Sequence, residues 1–189
     1  MELLIVICVI IVALMVIPKI IKSVRNSNHE KESLAVFENL KNFTASKYYL
    51  STNSGVSVGI DCNRKLICLL DNLHRPSIFD FDQVKNCELL IDGESVFKTS
   101  APEVIGRSII GNVLAKEPGA IVGGTTSSMI KTEKIHSIRL KIIVSDIENP
   151  VFKVDFLKSR TDKGSFEYNK AYSNAEEWHA LFLGIILQK

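Results

Sequence analysis

The chain has 189 residues, and its 23 Lys and Arg against 21 Asp and Glu give a formal net charge of +2. This length suits one ordinary domain with an appendage, and the composition excludes a disordered chain, a collagen-like chain and a polytopic membrane protein. The near balance of charge excludes a strongly basic nucleic-acid-binding protein, so we expect no nucleic-acid partner.

The chain begins with an uninterrupted apolar run over residues 3–17. As a helix this run is about 22 Å long, and its continuation to residue 21 reaches about 28 Å, close to a hydrocarbon core of about 30 Å. We predict a transmembrane anchor over residues 1–22, with the lipid bilayer as partner of residues 3–21; a buried core helix is the alternative. The start Met1-Glu2 lacks the cationic region of a signal peptide, so we expect no cleavage.

Basic residues follow the apolar run, with Lys22 and Arg25 next to its end and only Glu2 before it. The positive-inside rule then places the C-terminal bulk of the chain in the cytoplasm. We predict a single-pass protein of the inner or plasma membrane with a cytoplasmic C-terminal domain.

Residues 23–46 predict a juxtamembrane amphipathic helix or linker. Residues 27–30, Ser-Asn-His-Glu, have the form of a capping box that starts a helix. One helical stripe carries Leu34, Phe37, Leu40 and Phe43. We expect this helix to pack on the domain at residues 47–189, and contact with the membrane interface is the alternative.

From residue 47 onward the apolar period becomes strand-like. Val58 and Ile60 alternate before the turn residues Asn63 and Arg64, so we predict a β-hairpin in which Asp61 opposes Leu66. Further strands are predicted over residues 66–70, 77–81, 84–91, 95–99, 135–144 and 151–157.

A glycine-rich insertion over about residues 104–130 separates two groups of strands. Small residues recur there every four positions, at Gly111, Ala115, Gly119 and Gly123. This pattern allows close helix approach in a membrane. A flexible insertion is one interpretation, and membrane insertion or self-association into a homo-oligomer is the other.

A terminal helix is predicted after a second capping box at residues 173–176, Ser-Asn-Ala-Glu. Ala175, Trp178, Phe182 and Ile185 share one face of this helix. We take Trp178 and Phe182 as fold-defining core residues of an α+β protein.

The cysteines and carboxylates give weak signals for chemistry. The hairpin register places Cys62 and Cys68 on opposite faces, and no C-x-x-C pair occurs, so we expect free thiols and no metal site.

Asp80 and Asp82 form a carboxylate pair that can hold a divalent metal, but strand periodicity places both on a solvated face. The four histidines lie in no nucleophile motif, so we predict no enzyme and no cofactor, with a metal-dependent membrane-tethered enzyme as a remote alternative.

Three basic residues near the first hairpin are candidates for contact with an anionic headgroup or phosphopeptide. They are Arg64, Lys65 and Arg75. A solvated loop is the alternative, because two or three cations are common on any surface.

The order of strands closed by a capped helix with Trp178 resembles pleckstrin-homology-like (PH-like) domains. The combination of residues 57–61, 81–89 and 119–124 is similar to bacterial and prophage-encoded membrane-associated proteins with a PH-like core. The resemblance covers about residues 47–187 and implies a bent antiparallel sheet or barrel closed by the C-terminal helix. It also implies a binding or scaffolding module, because such folds present loops to lipids or peptides.

Two functions follow as hypotheses. The first is a membrane-anchored, non-enzymatic scaffold whose PH-like domain contacts an unidentified protein partner or the membrane surface. The second is a phage-derived superinfection-exclusion or envelope-stress factor that acts through the glycine-rich segment.

Overall fold

The structure, a computed structural model, describes residues 2–52, 55–100 and 133–188. Two helices frame the chain, α1 at Glu2–Asn39 and α2 at Phe166–Leu187. A single 3-10 turn occupies Phe81–Gln83 among the described residues. The strands are β1 Lys47–Tyr49, β2 Ser57–Asp61, β3 Leu66–Leu70, β4 Pro76–Asp80, β5 Val84–Ile91, β6 Glu94–Ser100, β7 Lys134–Ile135, β8 Ile138–Val144, β9 Val151–Leu157 and β10 Thr161–Asp162. The α+β class is therefore confirmed.

The predicted transmembrane anchor over residues 1–22 is wrong. Across the described ranges, no helix combines the length and the apolar character that crossing a bilayer requires.

The helix α1 also runs without a break through the second predicted helix start. Residues 27–30 lie inside α1, so they cap nothing, and the helix ends at Asn39. The predicted stripe is nevertheless the packed face, because Phe37 and Phe43 are buried and Leu40 is partly buried. Phe43 belongs to the loop that follows the helix.

The chain divides into two compact units after Ile78. The first unit contains α1 and a sheet in the order β1-β2-β3-β4. Its core cluster consists of Phe37, Phe43, Cys68 and Leu70. The predicted hairpin register is confirmed, since Asp61 pairs with Leu66 and Ile60 with Ile67.

The second unit begins at Phe79 and contains an antiparallel sheet in the order β6-β5-β8-β9, together with the β10-β7 pair. Asp92 and Gly93 join β5 to β6, and both have positive φ angles, 50° and 89°. A two-residue type I′ turn requires those angles and favours Asp-Gly. Burial alternates along β8, whose inward residues are Ile138, Leu140, Ile142 and Val144.

The terminal helix α2 covers this sheet by contacting β5, β8 and β9. It begins at Phe166, with Ser165 as N-cap, so the predicted start at residues 173–176 is wrong. The predicted apolar face is confirmed, since Ala175, Trp178, Phe182 and Ile185 are all buried. The boundary between a linker at residues 23–46 and a domain at residues 47–189 stays a prediction.

Candidate functional site

The two turns of the first sheet carry the three predicted basic residues. Arg64 lies in the β2–β3 turn, and its guanidinium approaches the Asp61 carboxylate to 3.1 Å. Arg75 follows the β3–β4 turn and binds Asp71 at 2.6 Å. Lys65 is exposed and has a φ of 56°. Because two of these three cations already face a carboxylate, their charge is largely compensated, and their role in anion contact stays a prediction.

Asp61 organises the β2–β3 turn from a fully buried position. Its carboxylate accepts hydrogen bonds from the backbone N–H groups of Thr44 at 2.8 Å, Asn63 at 3.0 Å and Arg64 at 3.0 Å. Burial by itself raises the pKa of Asp61. The hydrogen bonds from the Thr44 and Arg64 backbone and the Arg64 guanidinium outweigh burial, so the pKa lies below its ordinary value.

A cleft of about 610 Å³ lies in the first unit, where α1 meets the β3–β4 turn. One side is apolar and consists of Ile20, Ile21 and Val24 on α1. The other side is polar, and its residues are Arg25, Asn28, His29 and Glu32 on α1 with Asn72 and His74 in the turn. No sequence pattern indicates this cleft, because its residues come from separate parts of the chain.

Two imidazoles meet at the polar side of the cleft. The rings of His29 and His74 have centroids 4.4 Å apart. Nδ1 of His74 lies 3.5 Å from a carboxylate oxygen of Glu32. His29 is 6% exposed, and Nε2 of each histidine is buried without a hydrogen-bond partner among the described residues. A buried polar atom without a partner costs free energy, and such atoms often mark a place where a ligand or water binds.

The predicted core residues of α2 lie in the second unit. Trp178 is 3% exposed, and its ring centroid is 6.4 Å from that of Phe182. Beside them, His179 stacks on Phe97 with centroids 5.6 Å apart. Burial lowers the pKa of His179, against a smaller opposing effect of a backbone hydrogen bond with Cys87. A neutral His179 is a packing residue rather than a charged site.

The three cysteines whose side chains are described are free thiols, as predicted. Burial raises the pKa of Cys68 to about 12, and it also raises the pKa of Cys87. Both therefore stay protonated at neutral pH and pack as small apolar groups. Cys62 is exposed at the β2–β3 turn.

The carboxylate pair lies at the end of β4. Asp80 and Asp82 are both exposed, but Asp82 belongs to the 3-10 turn, and the buried aromatic ring is Phe79 rather than Phe81. Within the described ranges, no group of three or more His, Cys, Asp or Glu side chains is arranged to hold a metal ion.

The predicted small-residue pattern at Gly111, Ala115, Gly119 and Gly123 lies outside the described residues. Comparison with known families supplies information on this region. Residues 41–158 match the family described as a glycine zipper containing PH domain. The chain belongs to this family. The resemblance to PH-like domains is therefore confirmed, and the family description names a glycine zipper, the kind of pattern that the sequence predicts.

Two relatives of this PH-domain chain come from one phage lineage. An "Immunity protein" of Bacillus phage SPbeta is 30% identical over 118 residues, which cover 58% of this chain and 56% of that protein. An SPbeta prophage-derived membrane protein of Bacillus subtilis strain 168, YomJ, is also 30% identical over 118 residues, covering 58% of this chain and 50% of YomJ. The chain thus spans about half the length of these relatives. No solved structure matches it.

Proposed function

We propose that this protein is a phage-type immunity factor that acts at the cytoplasmic face of the cell membrane and blocks infection by a related phage. The observation that carries the proposal is the 30% identity to the SPbeta immunity protein over 118 residues. These residues are a little over half of both chains, and the family match at residues 41–158 has a similar extent.

Contact with the membrane is the second part of the proposal. Support comes from the described part of α1, where Leu14, Met15, Ile17 and Ile21 are more than half exposed. Exposed apolar side chains in such a continuous stretch favour binding to lipid or to another apolar surface. The related YomJ is named a membrane protein. We therefore propose the apolar part of α1 as the lipid contact.

We further propose that the protein acts by binding and not by catalysis. The polar groups at three sheet turns form structural hydrogen bonds, in which Asp61, Asp71 and Asp92 each accept from at least two backbone N–H groups. Such groups hold loops in place and leave little capacity for acid–base chemistry. A protein partner of the infecting phage or of the host fits this mode of action.

The glycine zipper is the proposed means of assembly. Residues spaced four apart with small side chains let helices approach closely. Replacing Gly119 and Gly123 with leucine removes two of the four small residues in this pattern. We expect the double variant to lose the oligomers that crosslinking in membranes detects for the wild type, and unchanged oligomers would contradict self-association through this segment.

Infection assays test the proposed immunity directly. The full chain is expressed in a host that carries no related prophage, and the host is challenged with SPbeta and with an unrelated phage. We expect fewer SPbeta plaques and an unchanged number for the unrelated phage. Equal plaque numbers with and without the protein, at confirmed expression, would contradict the proposal.

A further inference from the structure

The cleft between α1 and the β3–β4 turn has the polarity of a binding site for an amphiphile. Its apolar side, at Ile20, Ile21 and Val24, continues the exposed apolar stretch of α1. Its polar side starts at the very next residue, Arg25. One face thus suits a hydrocarbon chain and the adjacent face suits a polar head.

The polar side favours an anion. Of its six residues, Glu32 alone has no hydrogen-bond donor in its side chain, because arginine, asparagine and histidine all donate. Nε2 of His29 and Nε2 of His74 are buried, and neither has a hydrogen-bond partner in the part of the chain that the structure describes. An oxygen-rich anion between Arg25 and the two imidazoles supplies those partners.

We propose that this cleft binds the phosphate of an anionic lipid headgroup, with Arg25, His29 and His74 as donors and the lipid chain along Ile20, Ile21 and Val24. The inference rests on the proposed function because it places α1 at a membrane. It assigns headgroup contact to residues other than Arg64 and Arg75, whose guanidinium groups already bind Asp61 and Asp71.

Vesicle flotation of the full chain tests the proposal. The wild type is mixed with vesicles of phosphatidylcholine alone or with added phosphatidylglycerol. We expect stronger binding to the phosphatidylglycerol vesicles. Inorganic phosphate, titrated separately, should bind far more weakly because it gains nothing from the apolar side. Equal affinity for inorganic phosphate would overturn the assignment to a lipid.

Variants locate the site. Arg25→Gln removes the cation, and His74→Asn removes the imidazole while retaining a residue that tolerates the φ of 59° found there. Each should lower the affinity for phosphatidylglycerol vesicles by about tenfold, the usual effect of losing a hydrogen bond to a charged group. Lys31→Gln removes one positive charge from an exposed position on α1 outside the cleft and serves as control.

The outcomes separate this inference from the proposed function. A wild type that floats with neither vesicle contradicts membrane contact itself. A wild type that floats equally with both compositions, or a Lys31→Gln variant that loses as much affinity as His74→Asn, overturns the cleft as a headgroup site and leaves membrane contact standing. Thermal melts of Arg25→Gln and His74→Asn that match the wild type exclude unfolding as the cause.

Discussion

Three aspartates show how single residues fix the turns that carry this protein's polar surface. Asp61, Asp71 and Asp92 each accept hydrogen bonds from at least two backbone N–H groups close to a turn. Asp92 joins segments that are far apart in the sequence, because its carboxylate accepts from the backbone N–H of His136 at 2.8 Å and of Ser137 at 2.7 Å. A turn held in this way presents its neighbours in one conformation.

Asp61→Ala is expected to destabilise the first unit by about 1–3 kcal/mol, because it leaves buried N–H groups of the turn without an acceptor. Asp61→Asn should cost less than Asp61→Ala, since the amide oxygen still accepts. Urea denaturation followed by circular dichroism measures both. The matched control is Glu148→Gln, an exposed carboxylate in another turn, and an Asp61→Ala variant no less stable than this control would contradict the role of Asp61.

The same three carboxylates predict a loss of stability in acid. For each of them, burial raises the pKa but hydrogen bonds and the facing cation lower it by more, so the folded-state pKa lies below the unfolded value. The stabilisation is therefore complete above the unfolded pKa, about 3.9, and is lost as pH falls through the folded pKa. We expect the free energy of unfolding to fall below about pH 5, and to fall less steeply in Asp61→Asn. A pH profile of equal slope in both proteins would contradict this.

Gly59 marks the closest approach between α1 and the first sheet. A Cβ at this position would lie 2.8 Å from Cε1 of the Phe37 ring. Gly59→Ala should therefore lower the melting temperature by displacing a buried aromatic ring. Phe37→Leu in the same chain relieves the clash. The loss of stability in the double variant should therefore be smaller than the sum of the losses in the two single variants. Strict additivity would show that the two residues do not touch.

At the scale of elements, α2 depends on one cap and one apolar face. The hydroxyl of Ser165 accepts from the backbone N–H of Tyr168 at 3.2 Å. Ser165→Ala should cost about 1 kcal/mol, the usual value for a lost N-cap. Ser173→Ala is the control, because Ser173 is exposed within the helix and alanine favours a helix interior. A larger loss of stability for Ser173→Ala than for Ser165→Ala would instead support the predicted helix start at residues 173–176.

Trp178 is the largest buried side chain of the α2 face. Trp178→Ala should destabilise the second unit by about 3–5 kcal/mol, because it removes a large aromatic group from a packed core. Thermal unfolding followed by circular dichroism measures the loss. Lys170→Ala, at an exposed position of the same helix, should leave the transition unchanged. A Trp178→Ala variant with an unaltered cooperative melt would contradict the packing of α2 on its sheet.

Local periodicity was enough to predict most of these elements. Strands β2, β3, β5, β8 and β9 and the buried face of α2 follow from apolar alternation and helical spacing. Helix starts were missed because Ser-x-x-Glu occurs inside helices as well as before them, as at residues 27–30 and 173–176. The short strands β7 and β10 have no periodicity of their own and form only through pairing with each other.

At the scale of the whole molecule, the candidate site was harder to predict than the fold. His29 and His74 are far apart in the sequence, and only the packing of α1 against the β3–β4 turn brings their rings together. The sequence did indicate Arg64 and Arg75 as cations, but their pairing with Asp61 and Asp71 depends on turn geometry. The glycine repeat could be recognised from the sequence because its small residues recur every four positions. The family description likewise names a glycine zipper.

The central claim is that the protein confers immunity to a related phage while in contact with the membrane. The most direct test compares wild type with Leu14→Gln/Ile17→Gln/Ile21→Gln, which makes the exposed apolar stretch of α1 polar. Ile147→Gln, at an exposed apolar position in another turn, is the control. Plaque number and the membrane-bound fraction are measured in the same cells. We expect the triple variant to leave the membrane fraction and to lose protection against SPbeta, whereas Ile147→Gln keeps both. Full protection by a triple variant found in the soluble fraction would contradict the account.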